Sequence, residues 1–286
     1  MAFKDILVVL RGFPTPTPPS AVDDAVELAA LLGARLSGVA CATTPRIPRS
    51  ILCDALIDVS RLVATENHKI AVGAQAVLTA FQDAAAKRGV LGQHILHKCQ
   101  TSEVAGALAD YARLRDLAIL PMPEGDYLQQ LDSQWYAETI IFESGHPTII
   151  LPYDRKGGRP ITLNTVVVAW DNSRAAARAI ADALPILRQA KITRVVTVAN
   201  EKAILAERSS AELLQHLALH GVNAVLESVD AAGHSIGPVL SAYASSHTAD
   251  LMVMGAYGHS RFREFILGGA TKSMLTHPPT LVFLSH

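Results

Sequence analysis

At 286 residues, half of them hydrophobic and with a mean hydropathy of +0.25, the chain has core material for two domains of ordinary size. Charged residues are 18% of the total and no run reaches the roughly 18 consecutive apolar residues of a spanning helix, so no membrane segment is expected. A net charge of -1 gives no global attraction for nucleic acid, and no basic run is interleaved with aromatics. The opening MAFKDILVVL carries Asp5 inside its apolar segment and no small-residue cleavage site follows, which points to the cytoplasm. Cys41, Cys53 and Cys99 are odd in number and lack CxxC spacing, and the scattered histidines form no HExxH pair, so neither a disulfide framework nor a metal site is expected.

Taken in order, Ile6 to Leu10 reads as a strand, followed by a proline-rich loop and the helix Ala21 to Leu32, with Ser20 as its N-cap. Gly33 ends that helix and Arg35 to Ala40 is the second strand. Pro45 and Pro48 mark a loop before a long helical region, about Ile51 to Lys87, with a break expected near Gly73. The third strand is Val90 to His97, and Thr101-Ser102-Glu103 opens a helix to about Arg115. The fourth strand, Leu117 to Leu120, ends at Pro121, and Ser133 to Ser144 is a helix before the fifth strand, Thr148 to Leu151.

Tyr153 to Pro160, with Gly157 and Gly158, is the clearest composition break and reads as a linker between domains at 1–153 and 160–286. Beyond it the same programme restarts: strand Thr165 to Trp170, helix Ser173 to Gln189, strand Arg194 to Ala199, helix about Ala206 to His220, strand Val222 to Val229. Helix Ile236 to Thr248, strand Leu251 to Met254, helix Ala270 to Thr276 and strand Thr280 to Leu284 complete it. Asp116-Leu117-Ala118-Ile119-Leu120 answers Asp250-Leu251-Met252-Val253-Met254, and His146-Pro147-Thr148 answers Pro278-Pro279-Thr280. The chain is a tandem duplication. Strands alternating with helices imply parallel sheets, so each half is an open α/β sandwich whose ligands belong at the carboxyl ends of its strands.

One stretch carries a site at that edge. Gly255, Gly258 and Gly268 follow the strand Leu251 to Met254 in G-x2-G-x9-G spacing and precede a helix. Glycines let backbone N–H groups approach an anion, and a helix N-terminus adds partial positive charge. Asp171, just after the first strand of the second half, can accept hydrogen bonds from a ribose or a base amine, or it can cap the following helix together with Ser173. Trp170 can line a base pocket or belong to the core. Arg261 and Arg263 lie in the nine-residue spacer, within reach of a triphosphate or simply solvated. His259 has no carboxylate or nucleophile at catalytic spacing, so no catalytic residue is expected.

Those glycines, with His259-Ser260-Arg261, the Leu267-Gly268-Gly269 junction and the closing Pro279-Thr280-Leu281-Val282, resemble the universal stress protein family, whose G-x2-G-x9-G-(S/T) loop binds the phosphates of ATP. The resemblance covers the chain as two tandem copies. It implies two Rossmann-like, adenine nucleotide alpha hydrolase-like, open five-stranded parallel-sheet sandwiches. It further implies that Ala169 and Asp171 contact the nucleoside, Val198 meets the adenine, and Met254 and Gly255 flank the ribose and phosphates. The amides of Gly258, Gly268, Gly269, Ala270 and Thr271 would hold the phosphate chain of ATP or another adenine nucleotide, with or without Mg. One departure stands out: Gly269 occupies the usual Ser/Thr position, and the hydroxyl is delayed to Thr271.

In the first copy Arg11 stands in place of Asp171, Pro121-Met122-Pro123-Glu124 in place of the glycine loop, and Tyr136-Ala137 in place of Gly268-Gly269. Proline has no amide hydrogen and Glu124 repels phosphate, so no phosphate cradle is expected there. By the resemblance, this half pairs with the second through their final strands as a pseudo-dimer, and a homodimer is a further possibility. The long Ile51–Lys87 region either packs on the sheet or covers a lipid-like or small apolar ligand. The expected function is a regulatory or signalling module that binds adenine nucleotide in the second half. The alternatives are a nucleotide-free interaction scaffold and a slow ATPase, the latter lacking both a Walker lysine and an evident general base.

Overall fold

The computed structural model describes residues 2–44, 59–123, 127–155, 160–199, 203–256 and 269–286. The first half runs β1 (Asp5–Leu10), α1 (Pro19–Leu31), β2 (Arg35–Thr44), α2 (Val59–Arg88), β3 (Leu91–Gln100), α3 (Val104–Ala112), β4 (Leu117–Met122), α4 (Tyr127–Glu143) and β5 (Thr148–Pro152). The second runs β6 (Thr165–Ala169), α5 (Arg174–Leu187), β7 (Ile192–Ala199), α6 (Ala203–Leu219), β8 (Ala224–Asp230), α7 (Ile236–Ser246), β9 (Leu251–Gly255), α8 (Gly269–Thr276) and β10 (Leu281–Ser285).

Because a helix follows every strand but the last of each half, each chain segment returns to the same starting edge and the strands pair in parallel. The order in the first half is β3-β2-β1-β4-β5, and the second half repeats it as β8-β7-β6-β9-β10. Strand order therefore reverses between β1 and β4 and again between β6 and β9. The two five-stranded sheets join through β5 and β10, which pair antiparallel with Val282 opposite Ile150 and Phe283 opposite Ile149. One ten-stranded sheet results.

Its central strands β1, β4, β5, β6, β9 and β10 are apolar on both sides, as strands covered by helices on both faces must be. Alternate residues feed two cores. Ile6, Val8, Val166, Val168 and Phe283 face α1, α2, α5 and α6, while Leu7, Val167, Met252 and Val282 face α3, α4, α7 and α8. Both cores contain residues of both halves.

The duplicated aspartates have one shared task. Asp116 Oδ2 accepts hydrogen bonds from the backbone N–H groups of Lys4 and Asp5 at 2.7 and 3.0 Å, and Asp250 Oδ2 does the same for Asn164 and Thr165 at 2.6 and 3.0 Å. Each closes the start of the central strand that the following residue pairs with, so the repeated Asp-Leu is a structural signature.

Two expectations about helices are corrected. α1 starts at Pro19 with Pro18 at the N-cap position and no side-chain cap, because proline's fixed φ suits a first turn; Ser20 lies inside that turn. α2 runs unbroken through Gly73, whose backbone meets that of Gly12: a Cβ at either position would collide with the other segment. Gly73 therefore serves a close crossing of helix and loop rather than a break. The part of the long helical region before 59 lies outside the described residues. The C-terminal part of α2 turns an apolar stripe to the sheet, through Ile70, Ala74, Val77, Leu78, Phe81 and Ala85, spaced three and four apart.

Candidate functional site

In the second half the C-terminal ends of β7, β6 and β9 lie side by side at the switch point. Ala169 pairs in register with Val196, and Val168 with Val253, which sets Ala169, Val198 and Met254 on one face of the sheet at neighbouring strand ends. Ala169 and Val198 are half-buried and Met254 is buried, so these three form an apolar floor. Beyond the floor the chain turns at Asn172, whose φ of 59° is left-handed. Asp171 is exposed at this turn; its Oδ1 accepts the Ser173 N–H at 3.0 Å, and the Ser173 hydroxyl accepts the Ala176 N–H at 3.1 Å as the N-cap of α5. Ser173 thus does the capping, and Asp171 closes the turn. Trp170 packs against the α5 and α6 side of the sheet, opposite to the floor, which places its ring in the core rather than beside Val198.

Gly255 ends β9 against the first turn of α5. A Cβ there would fall inside contact distance of the Ala175 carbonyl carbon and the Ala176 nitrogen, so glycine is required for packing whatever the loop does. Gly269 and Ala270 open α8, Gly269 exposed with open space around it, while Thr271 is buried at 2% exposure. A hydroxyl turned into the protein does not replace one at position 269. Gly258, Gly268, His259, Arg261 and Arg263 lie outside the described residues. Of the described site residues, Ala169, Asp171, Val198, Met254 and Gly255 share one sheet edge, and α8, which holds Gly269, Ala270 and Thr271, starts at that same edge because it returns the chain antiparallel to β9.

The matching edge of the first half is built differently. By strand register Val9, Arg11, Cys41, Leu120 and Pro121 occupy the places of Ala169, Asp171, Val198, Met254 and Gly255. Instead of an exposed crevice they line a cavity of about 380 Å³, closed on the sides by α2, α3 and α4. α4 starts at Tyr127, so Ala137, the counterpart of Gly269, sits deep inside a helix rather than at its first turn. Helical side chains, among them Ser133 and Tyr136, face this cavity, whereas α8 begins at Gly269. Ser133, Tyr136 and Ile70 carry no local sequence signal for this role.

A doubled Rossmann-like α/β sheet with its crevices at two switch points defines the class of protein. The sequence profile of the universal stress protein family matches residues 162–285. Among solved structures, a universal stress protein from Archaeoglobus fulgidus DSM 4304 is similar at 15% identity over 98% of this chain and 95% of that one, with a TM-score of 0.70. A protein described as a universal stress protein from Pseudomonas aeruginosa UCBPP-PA14 is similar at 16% identity over 99% and 93%, with a TM-score of 0.55. The cytoplasmic domain of a prokaryotic cation chloride cotransporter is similar at 11% identity over 99% and 95%, with a TM-score of 0.52. At these identities the structures show a shared fold. No curated protein sequence matches the chain. Residues 162–285 thus carry a universal stress protein domain, and the full-length likeness to universal stress protein structures fits a tandem two-domain arrangement of that fold. Among the described residues no helix is long and apolar enough to cross a membrane, and no group of three His, Cys, Asp or Glu side chains could hold a metal ion.

Proposed function

We propose that the second half binds ATP or a related adenine nucleotide, and that the protein acts in the stress response as a regulatory or signalling module through that binding. The observation that carries this reading is the convergence of an apolar floor (Ala169, Val198, Met254) and an exposed carboxylate (Asp171) at a switch point faced by the start of α8. A flat base suits the floor, ribose hydroxyls suit the exposed Asp171 carboxylate, and the amides of Gly258, Gly268, Gly269, Ala270 and Thr271 suit phosphates. Residues 1–153 act as the pairing partner of residues 160–286, a pseudo-dimer within one chain held at the β5–β10 seam.

Mass measurement of nucleotide released from the purified, denatured protein tests this reading, together with thermal shift of the folded protein on adding ATP, with and without Mg. Bound adenine nucleotide or a saturable shift is expected, and Asp171→Ala should weaken binding about tenfold through loss of hydrogen bonds to a charged acceptor. If neither release nor shift is found, the nucleotide-free scaffold replaces this reading. Phosphate release above background that vanishes when Gly258 is replaced by Trp would establish the slow ATPase.

A further inference from the structure

The first-half cavity has a chemistry of its own. Its walls are apolar: Val9, Cys41, Ile70, Leu108, Leu120 and Met122 surround it. Burial pushes the Cys41 thiol up to about 12, so at neutral pH it is an uncharged wall. Two donors converge on this apolar space. The Arg11 guanidinium donates through Nη2 to the Ser133 hydroxyl at 2.6 Å, and among the described residues no carboxylate lies within 4 Å of it. The Tyr136 hydroxyl has no hydrogen-bond partner among the described residues, and burial, chiefly, lifts it to about 12, so it too is a donor at neutral pH.

A half-buried guanidinium satisfied only by a neutral hydroxyl, beside an unpaired phenol, is a site for an acceptor that carries one negative charge. The other charged groups lining the cavity are Asp132, which is exposed, and Glu66, which is bound to Lys69 at 2.7 Å. Both carboxylates would repel a polyphosphate, and one arginine cannot neutralise it. We propose that this cavity binds a small amphipathic carboxylate, with its apolar body against Val9, Leu108 and Leu120 and its carboxylate on Arg11 and Tyr136. The volume falls in the range of pockets that enclose small organic ligands, and the fixed position of Arg11 on Ser133 means little ordering on binding. The proposal is independent of nucleotide binding in the second half.

Calorimetric titration of the full chain with decanoate, decanol and ATP, at concentrations below micelle formation, tests it. Decanoate should bind saturably with one site per chain and decanol at least tenfold more weakly. Arg11→Met should abolish the preference for decanoate over decanol. Tyr136→Phe, which keeps the ring and the packing, should weaken decanoate several-fold and leave decanol unchanged, and so serves if the Arg11 variant does not fold. Absence of saturable decanoate binding, equal affinity for decanoate and decanol, or displacement of decanoate by ATP would each overturn the proposal.

Discussion

A methyl group added at Gly255 would meet the backbone of Ala175 and Ala176, whereas one added at Gly269 would meet open space. Two glycines of one motif therefore answer to different physics. Gly255→Ala should destabilise the protein by about 1–3 kcal/mol, the range for overpacking, because the obstacle is helix backbone that must shift. Gly269→Ala should be neutral or stabilise by up to about 0.5 kcal/mol, since alanine loses less entropy in a helix. Urea denaturation of the two variants separates the cases, and an equal loss in both would contradict the assignment. Gly269→Ser fits the same space and returns the hydroxyl that Thr271, being buried, does not supply. On the nucleotide reading it should tighten ATP about tenfold, the effect of one hydrogen bond to a charged phosphate; titration with ATP gives the comparison.

At the level of elements, the outermost strand of the second half is tied to its helix by a polar cluster. Glu227 on β8 pairs with Arg194 on β7 and accepts a hydrogen bond from Tyr243 on α7, whose ring stacks on His247 at 4.1 Å. The first half makes the same join more simply, with His97 on β3 meeting Tyr111 on α3 at 3.1 Å. The Tyr243 hydrogen bond, with the Arg194 charge beside it, holds the Glu227 carboxyl below its usual range against the opposing effect of burial. A carboxyl whose folded value is depressed stabilises the fold above its unfolded value, about 4.3, and that contribution disappears as pH falls through the folded value. Glu227→Gln should cost about 1 kcal/mol at pH 7, after allowance for solvent around a part-exposed pair, and nothing once the carboxyl is protonated. Urea melts over a series of pH values from 7 downward check this: the cost should shrink steadily as pH falls below about 4.3, and a cost that does not change with pH would assign the effect to packing. Elements of this kind were partly legible in the sequence. The strands, their alternation with helices and the doubling at Asp116 and Asp250 could be read because period and local identity carry them. The continuity of α2 could not, since Gly73 answers to Gly12, sixty-odd residues away in the chain, and a local reading sees only a helix breaker. Likewise the early start of α4 and the cavity it closes depend on segments from β1 to α4 that meet only in the fold.

Across the whole molecule the two sheets meet on strands that have no exposed face. Ile149, Ile150, Val282 and Phe283 are completely buried, and the ten-stranded sheet ends instead on β3 and β8, whose residues are mostly half-buried or exposed. Open strand edges pair readily with other chains, and apolar ones most of all. Placing β5 and β10 at the centre leaves the more polar strands to face solvent. If the seam is what keeps the halves together, a protein consisting of residues 160–286 alone has the β10 edge uncovered, and the natural substitute for β5 is a second β10 running antiparallel. Analytical ultracentrifugation of that fragment should show a concentration-dependent dimer. Phe283→Asp should shift the fragment to monomer and lower its stability, because a charge would be buried in an apolar seam without a partner. A fragment that stays monomeric at every concentration while melting with the full chain would mean that β5 contributes nothing to holding the second half together.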